Sequence, residues 1–219
     1  MAVRKCFILG DDLIIRIADI NFKYFSGFAK TQKEKSINSL HYEIRNKYSV
    51  NVLEISSSSN SELGKSLSAF NLKLTYKDKE IPVENIFQSS KVFINGGPYI
   101  DLLFTSPSKA KKDERLKNSG ELQYFYFNNY KFPLKPTTIF YDYIYCFTLY
   151  QHKELVKELI NYKAFTDIEF NALKSRNCQA HSVCIFLSLF KKGIIDEALL
   201  DFSNFKKLTL DIYDNEITL

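Results

Sequence analysis

Three side chains of the segment VENIFQSSKVF, residues 83–93, could carry out proton transfer or nucleophilic chemistry. Among apolar neighbours this segment carries the carboxylate of Glu84, the amide of Gln88 and the amine of Lys91. If the segment is helical, the three side chains lie within about 60° of one another on one face. An amine that burial keeps partly neutral can act as a nucleophile beside a carboxylate. The helix dipole alone also explains their order, because it favours Glu84 in the first turn and Lys91 near the end.

The segments around this candidate helix show strand and helix patterns without a regular alternation. We therefore expect the α+β class, as a single domain over residues 1–219 that is mainly helical with a small mixed or antiparallel sheet. The predicted helices lie in 30–48, 57–70, 83–93 (closed by Asn95, Gly96 and Gly97), 107–119, 137–162 and 178–193. The predicted strands are two in 5–25, one in 51–56, two in 71–84 around a turn at 77–79, and one in 121–132, and 165–177 is a predicted loop.

The composition is that of an ordinary globular protein rather than a disordered or fibrous one. Of the 219 residues, 45% are hydrophobic and 25% are charged, and 14 Tyr with 19 Phe predict a core built largely from aromatic rings. No apolar run is long enough to cross a membrane, and early acidic residues do not fit a signal peptide, so we expect a cytoplasmic protein without a membrane partner. The net charge of +5 is modest, but residues 108–120 concentrate cations that could either contact phosphates or face solvent.

The residues that usually bind metals are few and scattered. The chain contains four Cys without a CxxC pair and three His. This distribution argues against a zinc site and against a disulfide framework. We therefore expect no metal and no cofactor.

Five stretches, taken in order, resemble one known family. They are LGKSLSAFNLKL, IPVENIFQSSKVFINGGPYIDLL, KDERLKNSGEL, AFTDIEF and KSRNCQAHS, and together they resemble the NADAR family, in the branch of NADAR antitoxins associated with DarT-type toxins. The resemblance spans about 22–192, which leaves 193–219 as a C-terminal extension. The wider family has the pattern E-H-x-x-Q-x-x-K-F starting at position 84, where Asn85 replaces the His. Tyr24 and Tyr143 stand where the branch often has Trp.

The resemblance implies a NADAR fold and an ADP-ribosyl glycohydrolase that acts without a metal. The reaction would remove ADP-ribose from guanine bases in DNA and so reverse the modification made by the toxin. Two mechanisms are open. In one, Lys91 attacks ribose C1″ and forms a Schiff base while Glu84 moves protons. In the other, Glu84 activates water and Lys91 stabilises charge.

The same resemblance suggests residues that would bind the ADP-ribose. Asp167 is a candidate second acid on a loop, and Tyr24 and Phe28 could stack on a base or belong to the core. Candidate ligand-binding residues are Gln88, Gly96, Gly97, Tyr99, Asp101, Arg115, Lys117, Asn177 and Gln179. Arg115 and Lys117 would supply cations for the diphosphate, although they could equally face solvent. Asn177 could instead be a helix N-cap, and the two glycines a helix C-cap.

The expected partners follow from this chemistry. The substrate would be ADP-ribosylated DNA, single-stranded or with the modified base extruded, because the bond lies on the base-pairing edge. ADP-ribose would be the product, and a cognate DarT-type toxin a further partner. The alternative is a non-catalytic module that binds ADP-ribose, modified nucleic acid or the toxin. The intact Glu84, Gln88 and Lys91 favour the enzyme, and Asn85 favours the binding module.

Overall fold

The structure, a computed structural model, describes residues 1–27, 29–171 and 177–219. Within them the strands are β1 Ala2–Leu9, β2 Ile15–Phe22, β3 Val52–Glu54, β4 Lys73–Tyr76, β5 Lys79–Pro82, β6 Lys91–Phe93, β7 Leu122–Phe127, β8 Tyr130–Phe132, β9 Ala164–Thr166 and β10 Ile217–Thr218. The helices are α1 Lys30–Tyr48, α2 Glu62–Ser66, α3 Val83–Ser89, α4 Pro107–Lys112, α5 Arg115–Asn118, α6 Ile139–Gln151, α7 Lys153–Leu159, α8 Gln179–Lys191, α9 Ile195–Ala198 and α10 Phe202–Asp214, with a 3₁₀ helix at Ile100–Phe104.

The largest sheet is mixed and has the strand order β10-β2-β1-β9-β3. β1 pairs antiparallel with β2 and β9, whereas β3 pairs parallel with β9 and β10 parallel with β2. Two small antiparallel sheets, β4-β5 and β6-β7-β8, complete the described strands. The α+β class is therefore confirmed, but three sheets make "mainly helical" only a loose description.

Alternation along β1 divides the core into two apolar clusters. Phe7 and Leu9 belong to one cluster, and Cys6 and Ile8 to the other, as expected when successive side chains point to opposite faces. The predicted apolar face of α1 covers the second cluster. The first contains the buried side of α8 and an aromatic group, in which the ring centres of Phe125 and Phe140 lie 4.5 Å apart. Aromatic rings are grouped within this cluster, but most residues of both clusters are not aromatic, so the prediction of a core built largely from aromatic rings was only partly right.

The segment 83–93 is not one helix, and this prediction was wrong. α3 ends at Ser89, and Lys91 begins β6, where it pairs with Phe125 of β7. The hydroxyls of Ser89 and Ser90 both donate to the carbonyl oxygen of Ile86, at 3.1 and 2.6 Å. Such bonds compete with continuation of a helix, and the strand pairing then favours an extended chain. The predicted helix end at Asn95–Gly97 is wrong for the same reason.

Three other predicted elements are divided in the structure, and one of them is the helix predicted over 107–119, which forms α4 and α5. Residues 121–132 form the hairpin β7-β8 rather than one strand, because Asn128 and Asn129 have φ values of +49° and +60° that suit a tight turn. The predicted helix 137–162 is broken at His152, whose Nε2 lies 2.8 Å from the carbonyl oxygen of Lys73. The predicted loop 165–177 contains the end of β9, and its residues 172–176 lie outside the described part of the chain.

The C-terminal residues pack onto the rest of the protein. Asp201 caps α10 by accepting from the backbone N–H of Asn204, and the hydroxyl of Tyr213 donates to Asp142 at 2.8 Å. β10 then joins the largest sheet beside β2. Among the described residues, no helix is both long and apolar enough to cross a membrane.

Candidate active site

Glu84, Gln88 and Lys91 form a hydrogen-bonded row, which we call the polar row. The amide nitrogen of Gln88 donates to Oε1 of Glu84 at 2.9 Å, and Nζ of Lys91 donates to Oε1 of Gln88 at 2.6 Å. Glu84 and Gln88 are each only 6% exposed. The predicted grouping is therefore present, although Lys91 approaches it from β6 and not from the helix. Helix-dipole electrostatics consequently do not explain the position of Lys91.

The environment of Lys91 favours a partly neutral amine. Its Nζ lies 4.6 Å from the centre of the Phe87 ring and is partly buried. Burial lowers the pKa of Lys91 to about 8, the charge of Glu84 opposes this shift, and the charge of Lys111 adds to it. At pH 7, a pKa of about 8 leaves roughly one tenth of the amines neutral. A neutral amine is what nucleophilic attack requires.

Asp167 is joined to the polar row through a chain of contacts from distant parts of the sequence. The amide nitrogen of Gln179 donates to Oδ2 of Asp167 at 3.0 Å and to the carbonyl oxygen of Ile55 at 2.6 Å. Oε1 of Gln179 accepts from the N–H of Ala69 at 2.7 Å, and the carbonyl oxygen of Ala69 accepts from the N–H of Glu84 at 2.9 Å. The Gln179 side chain therefore holds Asp167 and the start of α3 in a fixed relation.

Asp167 is buried, and this makes it a candidate acid. Burial raises the pKa of Asp167 to about 8, the charge of Glu54 adds to the increase, and bonds from the N–H of Glu169 and from Gln179 oppose it. Glu54 is itself buried beside β9, where it accepts from the N–H of Ile168 at 2.8 Å and from the hydroxyl of Thr166 at 2.6 Å. A carboxyl with this pKa is mostly protonated at pH 7 and can donate a proton.

Tyr141 lies close to both carboxylates, and reasoning from the sequence missed it. Its ring packs edge-on against Phe87, with 5.1 Å between ring centres. Burial raises the pKa of the Tyr141 hydroxyl, and the charges of Glu84, Tyr145 and Asp167 raise it further. Both carboxylates therefore act on this one phenol. The only available signal was a tyrosine within an apolar helix, where a buried hydroxyl usually has a polar neighbour.

The turn after β6 packs directly against Lys91. Gly97 has a φ of +91°, and a Cβ there would overlap the carbonyl oxygen of Lys91. A Cβ on Gly96 would overlap the hydroxyl of Tyr99, which is hydrogen-bonded to Ser119. These glycines are required by close packing within the protein. They are not a helix C-cap, because α3 ends earlier.

Arg115 is held by two aspartates. Its guanidinium bonds to Asp101 at 3.2 and 2.6 Å and to Asp113 at 2.8 and 2.9 Å, and it lies 4.4 Å from the centre of the Tyr99 ring. These bonds lower the pKa of both carboxyls and raise the pKa of Arg115. Tyr99, Asp101 and Arg115, three of the predicted ligand-binding residues, are therefore in contact with one another. Lys117 is exposed two residues further along α5.

The remaining predicted residues lie elsewhere. The N-cap of α8 is Cys178, so the alternative prediction of Asn177 as the N-cap was wrong. Tyr24 is 44% exposed and packs edge-on against Phe22, with ring centres 6.4 Å apart. Phe28, the other predicted base-stacking residue, lies outside the described part of the chain.

Asn85 bonds to residues outside the polar row. Its amide nitrogen donates to the carbonyl oxygens of Leu102 and Thr105, at 2.7 and 2.8 Å. It therefore holds the 3₁₀ helix against α3. This side chain is fully buried, and its hydrogen bonds go to the backbone of residues 102–105 rather than to the polar row.

Two clefts open on other parts of the surface. One, of about 610 Å³, lies between α1, β3 and residues 158–162, and the other, of about 770 Å³, lies between residues 62–72 and 151–155. Neither cleft is lined by the polar row. Within the described ranges, no group of three or more His, Cys, Asp or Glu is placed to hold a metal ion.

Comparison with known proteins gives the family. A search among curated proteins finds no significant match. A family model described as "DarT1-associated NADAR antitoxin" matches residues 2–217. The match includes β1 and most of the C-terminal residues, and so extends beyond the resemblance at 22–192. Because it covers nearly the whole sequence, the chain belongs to the family of DarT1-associated NADAR antitoxins.

Proposed function

We propose that the protein removes ADP-ribose from guanine bases of DNA and thereby reverses the modification made by a DarT-type toxin. The observation that carries this proposal is the amine of Lys91, partly buried over Phe87 and bonded through Gln88 to Glu84. Burial lowers its pKa to about 8. Such an amine can attack a sugar carbon near neutral pH, which an ordinary surface lysine does only at much higher pH.

The chemical step is a displacement at ribose C1″ followed by hydrolysis of an imine. The neutral amine of Lys91 bonds to C1″ as the bond from C1″ to the guanine nitrogen breaks, and protonated Asp167 gives its proton to that nitrogen. Glu84 takes a proton from the amine. The ring bond from C1″ to its oxygen then opens to give the Schiff base, and the proton held by Glu84 passes to the freed ring oxygen. Water adds to this carbon and expels the amine, which releases ADP-ribose.

The second mechanism uses the same residues without a covalent bond. Glu84 removes a proton from water, and the water oxygen bonds to C1″ as the bond from C1″ to the guanine nitrogen breaks. The ammonium of Lys91 stabilises the negative charge that develops on the leaving nitrogen. This route needs Lys91 protonated, whereas the covalent route needs it neutral. The two therefore differ in their response to pH and to replacement of Lys91 by Arg.

The substrate is expected to be a single strand or a duplex with the modified base extruded. The exocyclic nitrogen of guanine lies on the base-pairing edge, which is not accessible within a duplex. The cations of α4 and α5 are exposed and could follow the flanking phosphates. A cognate DarT-type toxin is the partner whose product this reaction would remove.

The proposal is tested by release of ADP-ribose from a DNA oligonucleotide that carries ADP-ribosylated guanine. The wild-type protein, Lys91→Ala, Lys91→Arg and the control Lys207→Ala, at an exposed position of α10, are compared. We expect release by the wild type and by the control, and loss of at least about a hundredfold in rate in both Lys91 variants. Binding of the modified oligonucleotide without any release by the wild type would instead identify a non-catalytic binding module. Retained activity in Lys91→Arg would favour attack by water.

A further inference from the structure

Lys111 of α4 is a cation whose charge acts on the polar row, and it was not among the predicted ligand-binding residues. Nζ of Lys111 lies 5.4 Å from the centre of the Phe70 ring. Phe70 directly follows Ala69, whose backbone bonds both to Gln179 and to Glu84. The ammonium of Lys111 is therefore positioned beside the chain of contacts that joins Asp167 to the polar row.

The charge of Lys111 affects the pKa of a residue near each end of this chain of contacts. It contributes to lowering the pKa of Lys91, and it also contributes to lowering the pKa of Glu169. Glu169 already has an ion-pair partner, because Nζ of Lys33 lies 2.6 Å from its carboxylate. Within the described ranges, no carboxylate forms a salt bridge with Lys111.

Arg115, which was predicted to bind the diphosphate, already has carboxylate partners. The guanidinium of Arg115 donates to the carboxylates of both Asp101 and Asp113. A phosphate could bind there only by displacing at least one of them. Lys111 needs no such displacement, and its contact with the Phe70 ring orients the ammonium at little cost.

We propose that Lys111 binds the diphosphate of the ADP-ribose in the active site, with Phe70 holding its ammonium in place. This inference rests on the proposed function, which supplies the ligand. The ammonium contributes to binding of the substrate and not to the proton transfers.

The test is a calorimetric titration with free ADP-ribose, which has no flanking DNA phosphates. We compare the wild type with Lys111→Ala, Lys111→Arg and Lys112→Ala, the last of which removes the same charge from the next position of α4. We expect about tenfold weaker binding in Lys111→Ala, which is about 1.4 kcal/mol, and a change below about twofold in Lys112→Ala. Lys111→Arg should retain most of the affinity, because a guanidinium also packs on an aromatic ring.

The oligonucleotide assay supplies the second readout. Lys111→Ala should raise KM about tenfold and change kcat by less than about threefold. Equal binding of ADP-ribose by the wild type and Lys111→Ala would overturn the assignment, and so would a loss of affinity confined to unmodified DNA. If the wild type binds ADP-ribose but does not release it from DNA, the glycohydrolase proposal fails, and the titration still decides the role of Lys111.

Discussion

The covalent mechanism predicts a pH optimum near 8 and a specific change when Asp167 is replaced. The pKa of Lys91 and that of Asp167 are both about 8, and the mechanism needs the first neutral and the second protonated. If the two groups titrate independently, about one quarter of the molecules are in this state at pH 8, about one twelfth at pH 7 and about one hundredth at pH 6. The rate should therefore fall about threefold from pH 8 to pH 7 and about 25-fold from pH 8 to pH 6.

Replacing Asp167 by Asn removes the falling limb of this profile. The variant should be slower, by roughly a hundredfold, because Asn cannot donate the proton. Its remaining rate should increase with pH through about 8 and then stay level, because only the neutral fraction of Lys91 still varies. The opposite protonation pattern, a charged Lys91 with an ionised Asp167, gives the same bell-shaped profile for the wild type. Only the variant distinguishes the two patterns.

The assay is single-turnover release of ADP-ribose from the modified oligonucleotide between pH 5.5 and 9.5. The substrate is the same for both proteins, so its own ionisation cancels in the ratio of their rates. A rate in Asp167→Asn that decreases through pH 8 would refute the reasoning, since charged Lys91 would then be the active form. A bell-shaped profile unchanged in the variant would show that Asp167 is not the acid.

Three further predictions concern the polar row, the turn beside it and the C-terminal residues. Gln88→Ala should lower kcat about tenfold or more with little change in KM, because it removes the side chain that links Glu84 to Lys91. An unchanged kcat would contradict this prediction. Gly97→Ala should lower the free energy of unfolding by at least about 2 kcal/mol, because its Cβ would overlap the carbonyl oxygen of Lys91. Gly193→Ala, at a φ of +71° with open space around it, should lower it by about 1 kcal/mol. Equal losses of the two variants in chemical denaturation would be inconsistent with the overlap at Lys91. Burial lowers the pKa of His181, but the bond to Glu216 and the charge of Asp142 outweigh burial, so the net effect is a raised pKa. The pair of His181 and Glu216 therefore stabilises the fold fully below pH 6.5, and its contribution decreases as the pH rises above that value. Glu216→Gln should therefore cost roughly 1.5–3 kcal/mol at pH 6 and clearly less at pH 9, and thermal melts that shift equally at both pH values would rule this out.

Local sequence patterns correctly predicted the elements whose structure depends on residues close by in the sequence. The face of α1, the turn between β4 and β5 and the apolar helix α8 were all predicted from periodicity and turn residues. The strand at Lys91 was not, because its pairing partner Phe125 lies 34 positions further along the chain. The serine hydroxyls that end α3 are a local signal, but one that also occurs inside helices.

The chemical properties of the site depend on burial and on distant partners, which a sequence does not contain. The grouping of Glu84 and Gln88 one helical turn apart could be predicted, but the raised pKa of Asp167 could not. That pKa depends on Glu54, which lies on another strand. Likewise, Asp113 could be seen beside Arg115 in the sequence, but Asp101 reaches it only through the turn at 95–101.

The central claim is that Lys91 forms a covalent bond to the sugar, and reduction with borohydride tests it most directly. The wild-type protein is mixed with the ADP-ribosylated oligonucleotide in the presence of borohydride, digested and examined by mass spectrometry. We predict an ADP-ribose adduct on the peptide that contains Lys91, together with loss of enzyme turnover, because a reduced imine cannot be hydrolysed. Full release of ADP-ribose with no adduct on Lys91 would contradict the account.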